Sequence, residues 1–276
     1  MNPHARQPIS PLSALRSIVG NRSLIYSLAK REVLGRYKGS ALGLAWSFFN
    51  PVLMLTVYTF FFAVVFKSRW GTAGSDSKTE FAVILFVGMI IHGVFAEILN
   101  RAPRLIIDNV NYVKKVVFPV EVLPAVSICV ALFHAAVSMV VLLLAFVIFN
   151  GFLQWTAVFV PLVVLPLVIL SFGISWFLAS LGVYLRDVSQ TIGLLTAVLL
   201  FLSPVFYPIS SLPENIRPWI MANPLTFIIE QSRDVLIWGK LPNFSGLAIY
   251  AGIAMVVAWV GYAWFQKTKG GFADVL

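Results

Sequence analysis

Long stretches without a charged side chain recur along this chain, and polar or basic segments separate most of them. An α-helix needs about 20 apolar residues, at about 1.5 Å each, to cross the hydrocarbon core of a bilayer. Residues 122–185 contain no Asp, Glu, Lys or Arg, and this stretch is long enough for two helices that break at Asn150-Gly151. The pattern predicts six transmembrane spans, at about 43–66, 81–100, 120–149, 155–183, 188–206 and 243–265.

The composition agrees with this interpretation. Hydrophobic residues make up 59% of the chain and charged residues only 11%, with a mean hydropathy of +0.90, whereas a soluble domain carries about 25% charged residues. We therefore predict an all-α integral membrane fold. Residues 1–42 are expected to form a cytoplasmic N-terminal segment, residues 43–266 the six-span domain, and residues 267–276 a cytoplasmic tail.

The distribution of positive charge gives an orientation. A net charge of +9 is also typical of nucleic-acid-binding proteins, so the position of the charges has to decide. If the N-terminus is cytoplasmic, 14 of the Lys and Arg residues fall on the inner side and 6 on the outer side, as the positive-inside rule requires. The first 38 residues hold seven of these charges and no long apolar stretch, so we expect no cleaved signal peptide and two cytoplasmic termini.

Two segments on the predicted inner side are more than simple connectors. Residues Asn21–Lys38 are expected to form an interfacial helix with Asn21 as its N-cap, although a solvated basic segment is an alternative. The loop Arg101–Pro119 mixes basic and apolar residues. Its composition favours a short helix that docks on another protein, and the alternative is a loop that packs beneath this protein's own bundle.

The outer segment 203–239 carries two start signals for helices. Ser211 to Glu214 has the pattern of a capping box, and Asn223-Pro224 repeats the signal, while Gly239 is a natural stop. Two short helices within 211–239 are predicted to form a re-entrant hairpin in the outer leaflet, where the backbone must be covered by protein or line a cavity. The alternative is a cap on the membrane surface.

Motifs for catalysis are missing from the sequence. It has no phosphate-binding GxxxxGK[ST] loop, no HExxH, no CxxC and no GxSxG, and its three histidines are not at metal-ligand spacing. The single cysteine, Cys129, lies in an apolar stretch and is expected to act as a small hydrophobic residue. We therefore predict no catalytic residue, no metal site and no enzyme activity: this chain moves or holds its substrate.

Ionisable residues near the membrane are functional candidates by default. Glu97 and Glu121 lie near the ends of different spans, and His134 lies within the third span. We expect the histidine to be a hydrogen-bonded packing residue, and each glutamate to pair at the cytoplasmic boundary with a basic residue: Arg101, Lys114 or Lys115.

Several segments together resemble the type-2 ABC transporter permeases, in the branch that exports polysaccharides and polyol phosphates. The ending KGGFADVL is similar to that of O-antigen export permeases of Gram-negative bacteria. The other segments that carry the resemblance are LAKREVLGRYKGSALGLAWSFFNPVLML (28–55), FPVEVLPAVSICVALFH (118–134), YLRDVSQ (184–190) and SPVFYPISSLPENIRPWIMANPLT (203–226).

The resemblance implies a homodimer of permeases in the bacterial inner membrane, bound to two separate ATPase subunits that hold ATP and Mg²⁺. It also implies a coupling helix between spans two and three, and an undecaprenyl-diphosphate-linked glycan as the substrate. This chain itself is then expected to bind no cofactor and no nucleic acid.

The same resemblance places candidate site residues. Spans one and five line the path of the glycan, and their aromatic rings suit sugar faces: Tyr58, Phe62, Phe66, Phe201, Phe206 and Tyr207. Basic residues near the inner entrance are candidates for the lipid diphosphate, and contact with lipid headgroups is the alternative: Arg31, Arg36 and Lys38. The apolar side chains expected to contact the ATPase are Leu105, Ile106, Val110 and Tyr112. Trp219 and Ile229 are expected to belong to the exit gate.

Three alternatives remain open at this point. A type-2 permease for a teichoic acid, a capsule or a drug would share these features. A secondary transporter driven by an ion gradient predicts inverted repeats and carboxylates at mid-membrane, and the sequence has neither. An enzyme acting on lipid-linked sugars would need an acid/base pair, which is also missing.

Overall fold

The computed structural model describes residues 9–65, 78–114 and 118–276, and the regular structure within these ranges is helical, as predicted. Two short helices, α1 (Pro11–Gly20) and α2 (Arg22–Arg36), precede the bundle. The long apolar helices are α3 (Trp46–Tyr58, continued by a π-helix, Thr59–Val65), α4 (Lys78–Arg101), α6 (Leu123–Asn150), α7 (Val160–Tyr184) and α11 (Phe244–Thr268). The shorter helices are α5 (Val110–Lys114), α8 (Val188–Leu202), α9 (Arg217–Met221), α10 (Pro224–Leu236) and α12 (Phe272–Val275).

Five helices in the described ranges are long and apolar enough to cross a membrane, whereas six were predicted. The shortfall lies in the predicted span 188–206. Its helix, α8, has 15 residues, or about 22 Å at 1.5 Å per residue, against a hydrocarbon core of about 30 Å. The helix stops because Ser203 precedes Pro204, and a residue before proline is driven into the extended conformation that Ser203 adopts (ψ 149°).

The predicted break between the third and fourth spans is confirmed. Helix α6 ends at Asn150, and Gly151 follows in the left-handed conformation with φ 76°. Glycine adopts this conformation without a Cβ penalty, which makes it the usual residue just past a helix end. The chain then turns back through a 3₁₀ helix, Trp155–Phe159, into α7.

Two other local predictions were wrong in detail. Asn21 does precede α2, but its side-chain amide donates to the Ser17 carbonyl at the end of α1 (2.7 Å) and does not cap α2. Ser211 does not start a helix, because Leu212 precedes Pro213 and is therefore extended. The second signal is confirmed: the Asn223 side chain accepts a hydrogen bond from the Leu225 amide (2.9 Å) at the start of α10.

The first described residues and the C-terminal residues lie together at one end of the bundle, which we call the terminal end. The Trp259 indole donates to the Ile9 carbonyl (3.0 Å), which ties the start of the described chain to α11. The loop 101–119 is at the same end, where α12 contacts α5. At the opposite end, the Gln154 amide donates to the Ile237 carbonyl (3.3 Å), so that the segment after α10 packs on the turn between α6 and α7.

Helices α7 and α11 form the tightest pair in the bundle, because glycines let their backbones touch. A Cβ on Gly261 would overlap the carbonyl group of Gly173, and a Cβ on Gly173 would overlap the backbone of Ala258. Small residues of this kind permit close approach of membrane helices, whose association depends on packing.

Replacement of Gly261 by leucine should therefore force α7 and α11 apart and lower the amount of folded protein in the membrane. Overpacking typically costs about 1–3 kcal/mol, and backbone overlap leaves little room for relief. Gly252→Leu is the matched control, because Gly252 lies on the same helix with open space around its Cβ position. Size-exclusion chromatography of the solubilised protein measures both, and equal yields would contradict the packing described here.

Candidate functional site

The loop at the terminal end is partly folded into the bundle. After α4 it forms two 3₁₀ turns, Ala102–Arg104 and Ile107–Asn109, followed by α5. Leu105 and Ile106 are buried in the chain's own apolar cluster at this end, and Ile106 is 0% exposed. A partner could therefore reach these two predicted contact residues only if the loop moved.

The other two predicted contact residues retain accessible surface. Val110 and Tyr112 are both half-buried. The Tyr112 ring stacks on Phe118, with centroids 4.4 Å apart, and its hydroxyl accepts a hydrogen bond from Arg31 of α2 (2.8 Å). Tyr112 thus connects the loop to the N-terminal helix, which the sequence did not predict.

A cavity of about 660 Å³ lies beside the loop at this end. Three parts of the chain surround it: the loop, the turn between α7 and α8, and the C-terminus. Its walls carry both signs of charge together with apolar surface. The lining includes Arg104, Val110, Arg186, Asp187, Val275 and Leu276.

The three basic residues predicted to meet a diphosphate differ in their surroundings. Arg31 and Lys38 line an open groove of about 600 Å³ on α2, together with Lys30. Arg36 instead donates to the Glu97 carboxylate (2.8 Å), so this guanidinium already has an anionic partner. An anion that binds to Arg36 has to compete with that carboxylate.

Glu97 is the centre of a cluster of charged and polar groups. Besides Arg36, its carboxylate contacts His134 Nδ1 (3.1 Å) and the guanidinium of Arg101 (3.8 Å). Arg101 also pairs with Glu32 of α2. The predicted pairing of Glu97 with Arg101 is therefore confirmed, and His134 is hydrogen-bonded as expected. The cluster fastens α2 to α4 and α6.

A cavity of about 290 Å³ opens between α3, α4 and α6 next to this cluster. Tyr58, predicted to line the glycan path, lies on its wall together with Asn50, Glu97, His134 and Ser138. The wall thus mixes hydroxyl, amide, imidazole and carboxylate groups with apolar surface, a combination that can hydrogen-bond a hydroxyl-bearing ligand.

The aromatic residues at the end of α8 and just after it form a group at the opposite end. The rings of Phe201 and Phe206 have centroids 5.8 Å apart, and the Tyr207 hydroxyl donates to the Phe201 carbonyl (3.0 Å). The structure thus brings together three of the six aromatic residues predicted to line the path. The side chain of Phe62, and Phe66 as a whole, lie outside the described residues.

The segment 203–239 contains the two short helices that were predicted, α9 and α10. Trp219 on α9 is 79% exposed, whereas Ile229 on α10 is fully buried against the bundle. Of the two predicted gate residues, only Trp219 therefore presents a surface. Helix α10 rests on the bundle through an apolar face, since Leu225, Ile228 and Leu236 are also buried.

Arg233 holds this segment in place, a role that was not predicted from the sequence. Its side chain is 1% exposed. The guanidinium donates to three backbone carbonyls, those of Ile84 on α4 (3.2 Å), Pro204 (2.6 Å) and Val205 (3.1 Å). It also pairs with Glu230 (2.8 Å), one helical turn away. The three-residue spacing of Glu230 and Arg233 on a helix could have predicted this ion pair from the sequence.

Within the described part of the chain, no group of three His, Cys, Asp or Glu residues lies close enough together to hold a metal ion. The polar sites above are made of hydroxyl, amide, carboxylate and basic groups. They suit binding and positioning of a ligand and contain no nucleophile paired with a base.

Comparison with known proteins places these features in context. A family model described as ABC-2 type transporter matches residues 23–237. The chain is 28% identical to the O-antigen export system permease protein RfbA of Myxococcus xanthus over 94% of this chain and 98% of the relative. It is 27% identical to the protein of that name from Klebsiella pneumoniae, over 92% and 95%. Identity to the polysialic acid transport protein KpsM of Escherichia coli is 24%, over 89% and 93%.

Proposed function

This chain belongs to the ABC-2 type transporter family, and we propose that it is the membrane-spanning permease of an ATP-driven exporter of lipid-linked polysaccharide. The observation that carries the proposal is the similarity over nearly the full length of both chains to permeases named for O-antigen export and polysialic acid transport. Its apolar helices agree with a multi-pass membrane protein. The finer proposal is an undecaprenyl-diphosphate-linked, O-antigen-like glycan in the bacterial inner membrane.

We propose that α8 and the buried connector after it act together as the sixth crossing. The helix starts near the terminal end, and the Leu202 carbonyl at its other end accepts a hydrogen bond from Asn223 (3.2 Å). Ser203 and Val205 continue this path and are fully buried. Helices α9 and α10 would then be the re-entrant pair. Six crossings place both termini on one side, and the positive-inside rule makes that side the cytoplasm.

A homodimer would explain the exposed apolar faces of α3 and α8. Helix α3 buries few of its side chains, and Leu194, Val198 and Phe201 of α8 are exposed. A second copy of the chain would cover part of this surface and leave a path between the protomers for the glycan. The six candidate aromatic residues of the path would stack on its sugars, while Arg31 and Lys38 would meet the diphosphate first.

ATP hydrolysis would take place on a separate subunit, with Mg²⁺ bound there, and the loop 101–119 would receive its motion. The accessible part of the loop borders the cavity of about 660 Å³ at the terminal end. Val110 is the predicted contact residue that lines this cavity. A substitution at Val110 therefore tests contact with the ATPase without disturbing the buried cluster.

Val110→Asp should weaken binding of the ATPase and leave the permease folded. Loss of an apolar anchor commonly costs about 1–4 kcal/mol of binding free energy, and Val110→Asp also places a charge in the interface. Copurification of the ATPase should therefore fall by about tenfold or more. Lys240→Asp is a matched control, since it places the same carboxylate on an exposed side chain at the opposite end. Ile106→Asp, in contrast, should remove folded permease, because Ile106 is buried.

Copurification is measured from membranes that contain both subunits, with folded permease quantified by size-exclusion chromatography. Two further variants place aspartate at the exposed positions Asn111 and Lys114. Full recovery of the ATPase with Val110→Asp and with both of these variants would refute the loop as the contact.

A further inference from the structure

A buried ion pair joins the end of the loop to the end of the last long helix. Glu121 lies in the 3₁₀ turn Val120–Val122, directly before α6. Its carboxylate is 2.8 Å from Lys269 Nζ, just past α11, and the two side chains are 1% and 3% exposed. The partners predicted from the sequence for Glu121 were Arg101, Lys114 and Lys115, and Lys269 was not among them.

The same glutamate contacts two more helices. Its carboxylate accepts a hydrogen bond from the Ser17 hydroxyl of α1 (3.2 Å), and its backbone carbonyl accepts one from the Trp176 indole of α7 (3.0 Å). One residue therefore links α1, α6, α7 and α11 through directional contacts.

The first part of the loop is also fixed to α7. Ala102 and Pro103 are buried, and a Cβ on Gly182 of α7 would overlap the carbonyl group of Pro103. Both ends of the loop thus rest on the same helix, so a displacement of the loop has to carry α7 with it. Helix α11 follows through its close packing on α7 and through Lys269.

The contacts described above for the loop and the ion pair do not involve α3 or α8. Both helices expose much of their apolar surface, including Leu53 and Phe60 on α3 and Leu194 and Phe201 on α8. We therefore treat α6, α7 and α11, which these contacts link, as a first group, and α3 and α8 as a second. A motion that enters at the loop changes the position of the first group relative to α3 and α8 only if the first group moves as one unit.

We propose that Glu121 and Lys269 are positioning residues for transport: their ion pair makes the loop, α6, α7 and α11 move together. A charge-assisted hydrogen bond has a defined direction and length, whereas apolar contacts alone permit sliding. Buried ion pairs are seldom needed for stability, and their best-attested use is to fix one arrangement of the packed elements. This inference rests on the proposed function, because it assumes that the loop receives motion from an ATPase.

The test uses the complete complex of permease and ATPase in proteoliposomes, with lipid-linked glycan extracted from cells that lack the permease as the transported probe. The double variant Glu121→Gln/Lys269→Met removes both charges and leaves no unpaired ion in the interior. We expect normal amounts of complex and ATP hydrolysis, but at least a tenfold drop in glycan moved per ATP. Lys269→Arg retains the ion pair and should transport nearly as the unchanged protein does.

Glu121→Asp is the second variant, in case the double variant folds poorly. It retains the charge but shortens the side chain by one methylene, so the contact with Lys269 should lengthen, and transport per ATP should fall several-fold. The proposal is overturned if either variant folds and moves glycan per ATP as the unchanged protein does. It is also overturned if every loss of transport matches a loss of folded complex, because the pair then serves stability alone.

These outcomes differ from a failure of the proposed function. If the unchanged complex moved the glycan without ATP, the permease assignment itself would be wrong. If the unchanged complex needs ATP and the variants retain full coupling, only the role of the ion pair is refuted.

Discussion

Replacing Arg233 with methionine is expected to remove most of the folded permease from the membrane. The guanidinium connects α10 to the Ile84 carbonyl of α4 and to the carbonyls of Pro204 and Val205 in the connector after α8. Methionine is unbranched, shorter than arginine and has no donor, so three buried carbonyl oxygens would lose a partner. Glu230 would lose its counter-ion, although its side chain is 39% exposed and can be hydrated.

The expected size of the effect follows from the number of orphaned groups. An unsatisfied buried acceptor costs about 1–3 kcal/mol, and more for charged partners. The Ile84 carbonyl lies within α4 and keeps its helical hydrogen bond, whereas the carbonyls of Pro204 and Val205 lie outside a helix. Loss of their donor is therefore expected to cost about 2–6 kcal/mol, a large part of the stability of a typical domain, about 5–15 kcal/mol. The neighbouring residue Gly88 on α4 leaves space for this side chain. A Cβ at position 88 would lie only 3.0 Å from Arg233 Nη2.

The measurement is the yield and melting temperature of the permease after solubilisation. Lys240→Met is the matched control: it also removes a cation from an ion pair, with Asp234, but Lys240 is 69% exposed and 3.5 Å from its partner. Exposed pairs contribute about 0–1 kcal/mol, so this variant should behave normally. Arg233→Lys should be intermediate, since an ammonium cannot reach all the carbonyls at once. A normal melting temperature for Arg233→Met would contradict the role described here.

Most of the helical architecture was predictable, because the bilayer sets a length that apolar stretches have to meet. The spans in α4, α6, α7 and α11 follow from runs without charge, and the turn at Gly151 follows from its place between two such runs. The difference at α8, whose helix is shorter than the predicted span, has a local cause. Pro204 ends the helix early. It and Val205 are still apolar and buried, so a count of apolar residues does not show that they are no longer helical.

The charged sites were less predictable, because their partners are far apart in the chain. Glu97 and Arg101 are one helical turn apart, and that pair could be predicted. Lys269 and Glu121 are 148 residues apart, and Arg233 binds carbonyls on two other segments. The positive-inside rule uses only the positions of Lys and Arg along the chain. It therefore does not distinguish a basic residue that is buried in the bundle from one that contacts lipid headgroups.

The loop shows a related limit. Its apolar residues Leu105, Ile106, Val110 and Tyr112 look alike in sequence, and two interpretations were open: contact with a partner, or packing under the bundle. The structure divides them, with Leu105 and Ile106 inside the chain's own cluster and the other two half-buried. Which residues turn inward depends on the 3₁₀ turns after Arg101, and periodicity over so few residues does not define those turns.

Omitting the ATPase should abolish transport, and this is the second large effect that we expect. The sequence contains no phosphate-binding loop, and the family assignment makes this chain a permease that depends on a partner for energy. No ion-driven cycle is expected, because Glu97 and Glu121, the acidic residues considered as candidates, are each paired with basic groups at the terminal end.

The most direct test of the account is therefore transport of lipid-linked glycan in proteoliposomes that contain the purified permease, with and without the ATPase that copurifies with it. We predict that the glycan crosses the membrane only when the ATPase and Mg-ATP are both present, and that a non-hydrolysable ATP analogue stops transport. Transport by the permease alone, driven by a proton or sodium gradient, would contradict the account.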